Sequence, residues 1–260
     1  MSFIILCVLC IVQGLTEFLP VSSSGHLTLF EQVFHIEGNL LLLNLFLHMA
    51  TLIAVVVVYR KVIWDLLKHP IQPLTLKLIL STAITLIFAF LYEILNIDGY
   101  VTYIYGFCFI ITAILLFVTH KFQQKSAVIK SGETGIKDSI IVGIVQGFAV
   151  LPGISRSGST ISSLVLSGED EGKAAEYSFL LSIPIIIGGF AFELIKLIKH
   201  NELILPVSVF ECIIAFILTF LVSLLALKLT IKLLKKNKFI IFSIYLFVIG
   251  TFVLIYNFVI

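Results

Sequence analysis

I-V-Q-G-L-T-E-F-L-P-V-S-S-S-G-H (residues 11–26) and I-V-Q-G-F-A-V-L-P-G-I-S-R-S-G-S (residues 144–159) are the stretches that decide the fold. Laid over each other at a constant offset of 133 residues, they share Ile, Val, Gln, Gly, Ser, Ser and Gly without a gap, seven identities in sixteen positions. Low complexity accounts for one or two such matches, so the chain carries an internal repeat. Each stretch interrupts an apolar run. Residues 3–34 are broken by Glu17, Pro20, Ser22, Ser23, Ser24, Gly25 and His26, and residues 138–168 by Pro152, Gly153, Ser155, Arg156, Ser157 and Gly158. The flanking pieces are about ten to fourteen residues each, short of the roughly 20 that a helix needs to cross a bilayer. Irregular backbone at membrane depth must be buried in protein or line a wet cavity. Each stretch therefore reads as the break in a re-entrant helical hairpin.

The composition makes lipid the solvent. Of 260 residues, 60% are hydrophobic and 12% charged, with mean hydropathy +1.16, against about 25% charged in soluble domains. Six further stretches are long and apolar enough to span: 40–59, 76–95, 100–119, 176–196, 205–228 and 239–260. The expectation is an all-α polytopic membrane protein, one membrane domain over 1–260, with six transmembrane helices and two re-entrant hairpins. Repeat one covers about 1–119 (hairpin 3–34) and repeat two about 138–260 (hairpin 138–168). Three spans separate the hairpins, so the second enters from the opposite face. That count gives an inverted-topology repeat, with its site where the broken helices meet. Under this topology fourteen basic residues, from Arg60 to Lys238, fall on one side. The other side receives only Lys196 and Lys199, and Arg156 lies within the membrane. The basic side is then cytoplasmic and both termini are outside.

Other signals are bland. A net charge of +2 gives no case for nucleic acid. No Lys or Arg precedes the first apolar run, which favours an embedded segment over a cleavable signal. Cys7, Cys10, Cys108 and Cys212 sit in apolar runs, and the C-x-x-C at Cys7 and Cys10 reads as buried packing.

An ionisable group at the bilayer centre costs at least about 2.5–3.5 kcal/mol, so Glu17, His26 and Arg156 each need a partner or a purpose. One reading is an inert Glu17–Arg156 pair tying the repeats together. The hydroxyls beside them, on Ser22, Ser23, Ser24, Ser155, Ser157, Ser159 and Thr160, favour function. Ser-rich segments opening a helix present free N–H groups to an anion, and Gly25 and Gly158 allow the backbone to approach closely. Arg156 adds a forked donor suited to phosphate. For phosphoryl transfer, His26 is a candidate general acid or base and Ser23 a candidate nucleophile. Glu17 either orients the histidine or holds a divalent cation, and Gln13 lies one turn before it. Spacing does not choose among these roles. His48 reads as a packing histidine, Glu93, Glu193 and Glu211 as interfacial, and Pro184 with Gly188 and Gly189 as a kink.

The block Q-G-L-T-E-F-L-P-V-S-S-S-G-H (Gln13–His26), with L-P-G-I-S-R-S-G-S-T (Leu151–Thr160) and E-Y-S-F-L-L-S-I-P (Glu176–Pro184), resembles the bacterial undecaprenyl-diphosphatase family, also known for bacitracin resistance. The resemblance covers essentially the whole chain. It implies a bacterial inner-membrane hydrolase that removes the terminal phosphate of undecaprenyl diphosphate, recycling the lipid carrier for cell-wall synthesis and so cell shape. It further implies a divalent cation (magnesium or calcium), an outward-facing site, and key roles for Glu17, Ser23, His26 and Arg156. Supporting roles fall to Gln13, Ser22, Ser155 and Thr160. With Gln rather than Glu at position 13, Glu17 is left as the main cation ligand. The rival expectation is an inverted-repeat transporter or lipid-phosphate flippase. The expected partners are the polyprenyl diphosphate and membrane lipids; a homodimer is compatible with the sequence.

Overall fold

Length and apolarity decide where each helix can end. The computed structural model describes residues 2–36, 40–95, 101–125, 134–201, 203, 205 and 207–259. Among them are ten helices and no strand: α1 (Phe3–Thr16), α2 (Ser23–Val33), α3 (Leu41–Lys68), α4 (Pro73–Ile94), α5 (Val101–Lys125), α6 (Ile136–Phe148), α7 (Arg156–Leu166), α8 (Glu171–His200), α9 (Val209–Leu234) and α10 (Phe239–Val259). Six of them, α3, α4, α5, α8, α9 and α10, are long and apolar enough to cross a membrane. Tyr100, Lys130, Pro206 and Ile260, which fall in expected spans or loops, lie outside the described residues.

Four spans outrun their apolar stretches: α3 (40–59), α5 (100–119), α8 (176–196) and α9 (205–228). The hydropathy of α3 fails at Arg60 and Lys61, but the helix continues to Lys68 past a non-helical step at Tyr59 (φ −98°, ψ 17°). This extension carries Trp64, 61% exposed, with Lys68 over its ring at 5.4 Å, as expected at a membrane–water boundary. Helix α8 starts earlier than expected, at Glu171, because Asp170 accepts from the N–H groups of Gly172 and Lys173. It runs unbroken through Pro184.

The packing is inverted relative to a soluble protein. Ile87 (67%), Phe90 (69%) and Leu225 (69%) are exposed, while Thr51, Ser81, Thr112, Ser178 and Thr219 are fully buried. Small polar residues between helices permit close backbone approach and side-chain bonds in lipid. Helix α1 packs on α9 and α6 on α4, while α5 lies along α10. The α1–α9 approach depends on Gly14, where an added Cβ would sit 2.9 Å from both the Thr219 oxygen and the Val222 side chain.

Shifting α1 and α2 by 133 residues gives 136–149 and 156–166, the positions of α6 and α7 to within one residue. At one end of the bundle Gln123 of α5 donates to Glu171 of α8, and His120 Nδ1 lies 2.8 Å from Asn237 Oδ1 in the α9–α10 turn. At the other end Asn44 donates to Glu31 (3.0 Å), Tyr105 to Gln32 (2.5 Å), and Lys196 pairs with Glu93 (2.9 Å).

Candidate active site

Both breaks resolve into a helix start of the same chemistry. Ser22 precedes α2 and accepts from the Gly25 N–H (3.4 Å); Ser155 precedes α7 and accepts from the Gly158 N–H (3.0 Å). A second hydroxyl flanks each cap, Ser24 at 3.5 Å and Ser157 at 3.4 Å. The first N–H groups of a helix have no intrahelical partner, and the dipole there favours negative charge. Ser22 holds φ 70°, a region a non-glycine side chain seldom enters without support from its surroundings.

The two breaks touch. Ser157 donates to the Leu19 carbonyl at 3.3 Å. A Cβ on Gly25 would sit 2.9 Å from Gly153 Cα and 2.5 Å from Phe109, so only glycine allows this seat. Gly153 itself holds φ +93°, and a Cβ there would run into the Tyr105 carbonyl oxygen.

Between them lies Glu17, the C-cap of α1, with its side chain 6% exposed. Its Oε1 accepts from Arg156 Nη2 at 2.5 Å. Its Oε2 accepts from Ser23 Oγ (2.7 Å) and Gln13 Nε2 (3.1 Å), and His48 Nε2 stands 3.6 Å away. The carboxylate thus joins a hydroxyl from one half of the chain to a guanidinium from the other. The pair is nearly buried, and each charge compensates the other.

A cavity of about 760 Å³ opens over this group, walled by Glu17, Ser22, Ser23, Ser24, Ser155, Arg156 and Ser157 among others. Its outer walls are apolar, from Leu86 and Phe90 of α4 and Ile185 and Phe190 of α8. The remaining expected site residues stand behind the wall. Gln13 steadies Glu17, and Thr160 lies 2.8 Å from the Arg156 carbonyl and 2.6 Å from Ser178 Oγ. Gly25 and Gly158 supply the capping N–H groups.

His26 is turned away from Ser23. Its ring is 3% exposed, with Nδ1 2.7 Å from the Ser22 carbonyl and Nε2 2.7 Å from Tyr245 Oη. The histidine on the cavity wall is His48, read from sequence as a packing residue. Gln146, the counterpart of Gln13 at the 133 offset, also lines the cavity. Thr85 Oγ1 donates to the Ser81 carbonyl (2.9 Å), so it accepts from Gln146 Nε2 (2.9 Å). The offset could have flagged Gln146; nothing in the sequence points to Thr85 or Tyr245.

Comparison with known proteins gives the family. The family model for bacitracin resistance protein BacA matches residues 6–252. The chain is 36% identical over 252 residues to the undecaprenyl-diphosphatase of Carboxydothermus hydrogenoformans, covering 95% of each chain. It is 40% identical over 250 residues to that of Thermosipho africanus, covering 94% of this chain and 96% of the relative. With the Bacteroides thetaiotaomicron undecaprenyl-diphosphatase the figures are 34% over 263 residues, 98% and 99%. With this match running from the first helix to the last, the chain belongs to the bacitracin resistance protein BacA family.

Proposed function

We propose that this membrane protein hydrolyses undecaprenyl diphosphate to undecaprenyl phosphate and inorganic phosphate. The observation that carries the chemistry is Ser23 Oγ at 2.7 Å from Glu17 Oε2, beside Arg156 and between two helix starts on one cavity. The terminal phosphate lies against the N–H groups and hydroxyls of Ser22–Ser24 and Ser155–Ser157, and Arg156 neutralises its charge. Ser23 Oγ forms a bond to the terminal phosphorus while the bond from that phosphorus to the bridging oxygen breaks, releasing undecaprenyl phosphate. The hydroxyl proton passes to Glu17 Oε2. Water then attacks the phosphoserine, its Oγ–P bond breaks, and Ser23 recovers a proton as inorganic phosphate leaves. Charge stabilisation by preorganised donors dominates such transfers. The first isoprene units lie along the apolar α4 and α8 walls.

A divalent cation fits this site as a companion of the substrate. Among the described residues no three His, Cys, Asp or Glu side chains form a cage. Glu17, with Ser23 beside it, would be the carboxylate to hold magnesium or calcium. The ion would supply neutralisation of phosphate charge.

We further read the α1–α2 and α6–α7 pairs as re-entrant hairpins of an inverted repeat in the bacterial inner membrane, with both termini and the cavity mouth outside. The coincident helix bounds, the touching breaks and the exchange of α1 and α6 onto α9 and α4 support this. The protein would then act in peptidoglycan synthesis, and so in cell shape. It could do so as a monomer or homodimer.

Detergent-purified protein should release phosphate from a polyprenyl diphosphate, and EDTA should suppress the release until magnesium or calcium is restored. Clean, folded protein that releases none would favour the transporter or flippase.

A further inference from the structure

His26 is bonded at both ring nitrogens, and its own side chain is not part of the cavity wall. The Ser22 carbonyl, 2.7 Å from Nδ1, can only accept, so Nδ1 carries a hydrogen. In the neutral ring Nε2 is then the lone pair, and Tyr245 Oη at 2.7 Å donates to it. The two rings stack at 5.6 Å with 5° between their planes, and Phe109 closes the other side edge-on at 5.2 Å. This arrangement leaves His26 no free lone pair with which to take a proton from substrate or water. What it holds is the Ser22 carbonyl, in the turn at φ 70° that presents Ser23.

We propose that Tyr245 is a positioning residue for phosphate transfer. Its hydroxyl fixes the Nδ1–H tautomer of His26, and His26 fixes the Ser22 turn that aims Ser23 Oγ and the first N–H groups of α2. Tyr245 sits on α10, 219 residues from His26, and its ring, 41% exposed, covers the histidine from outside. The inference rests on the reading above that Ser23 attacks phosphorus.

The test separates one hydroxyl from the ring that bears it. Tyr245→Phe keeps the stack, so thermal stability and KM should stay near wild type while kcat falls about tenfold or more, the effect of a small misplacement. His26→Asn keeps a donor near the Nδ1 position but no base, and should retain clearly more turnover than His26→Ala. Adding Tyr245→Phe to His26→Asn should cost less than about twofold, because the two act on one path. Nitrogen NMR of labelled histidine should give a neutral Nδ1–H ring for His26, perturbed in Tyr245→Phe. Wild-type kcat in Tyr245→Phe, His26→Asn as dead as His26→Ala, or an Nε2–H tautomer would each overturn the proposal. Wild-type protein that releases no phosphate would overturn the phosphatase reading instead, and the NMR measurement would still decide the His26–Tyr245 contact.

Discussion

Arg156 and Glu17 come from opposite halves of the chain and meet at 2.5 Å with side chains 15% and 6% exposed, so the pair can serve as phosphate clamp or as structural tie. As a clamp, the planar fork engages phosphate oxygens bidentately, which lysine cannot do. Arg156→Lys should then fold normally and turn over poorly, and Arg156→Ala should lose on the order of 10²–10³ in kcat. As a tie, Arg156→Ala would strand a buried carboxylate at a cost of about 3–5 kcal/mol, and adding Glu17→Gln would restore folding. Thermal stability and phosphate release on both single variants and the double decide between them: an unstable Arg156→Ala that the double rescues marks the tie, and a stable Arg156→Ala without turnover marks the clamp. That these two groups meet was legible in the sequence, because an intramembrane charge needs a partner and the repeat offered one. The direction of the His26 ring was not. Residue spacing places it one turn into α2 but does not say which way the turn faces, and its partner Tyr245 is eight helices further along the chain, on α10. Likewise His48 joins the site only because α3 passes beside α1, a packing fact that no local pattern encodes.

The helices themselves were largely readable, since apolar length and serine caps are local properties. Where they outlast the hydropathy, at the ends of α3, α5 and α9 and at both ends of α8, charged residues remain good helix formers. Pairings between helices were not readable, and the glycines now explain one of them. Gly14 → Leu would push α1 off α9, since even a Cβ meets the Thr219 oxygen at 2.9 Å. It would also displace Gln13 and Glu17 on the same helix. The substitution should destabilise by about 1–3 kcal/mol or more and depress phosphate release. Gly188 is the contrast: within α8 a Cβ there meets nothing within 4 Å. Gly188→Ala should therefore raise stability by about 0.5–1 kcal/mol through helix propensity. Thermal unfolding of the two variants in one detergent checks both. Equal effects would mean that α1 and α9 do not pack closely in the protein.

Orientation joins the chemistry to the cell, because a site that opens outward meets diphosphate lipid on the outer leaflet. The side rests on the basic asymmetry alone, through the positive-inside rule. The exposed ends of the bundle supply the probes. His200 closes α8 at the end where Lys196 pairs with Glu93, and Lys236 lies in the turn between α9 and α10, near Asn237 and the His120 contact. Both are exposed. The four native cysteines are free, with Cys7 and Cys212 only half-buried, so they must be replaced by alanine before probes are introduced. In that background His200→Cys should react with a membrane-impermeant maleimide on intact cells, and Lys236→Cys should react only after the membrane is opened. The reverse pattern would place the end of the cavity lined by Tyr92 of α4 and Phe192 of α8 on the cytoplasmic side. Phosphate release would then act on lipid facing inward, and the fourteen basic residues would stand outside against the charge rule. Labelling of both sites on intact cells would mean that the chain does not hold one orientation, as two opposed copies of the same fold would.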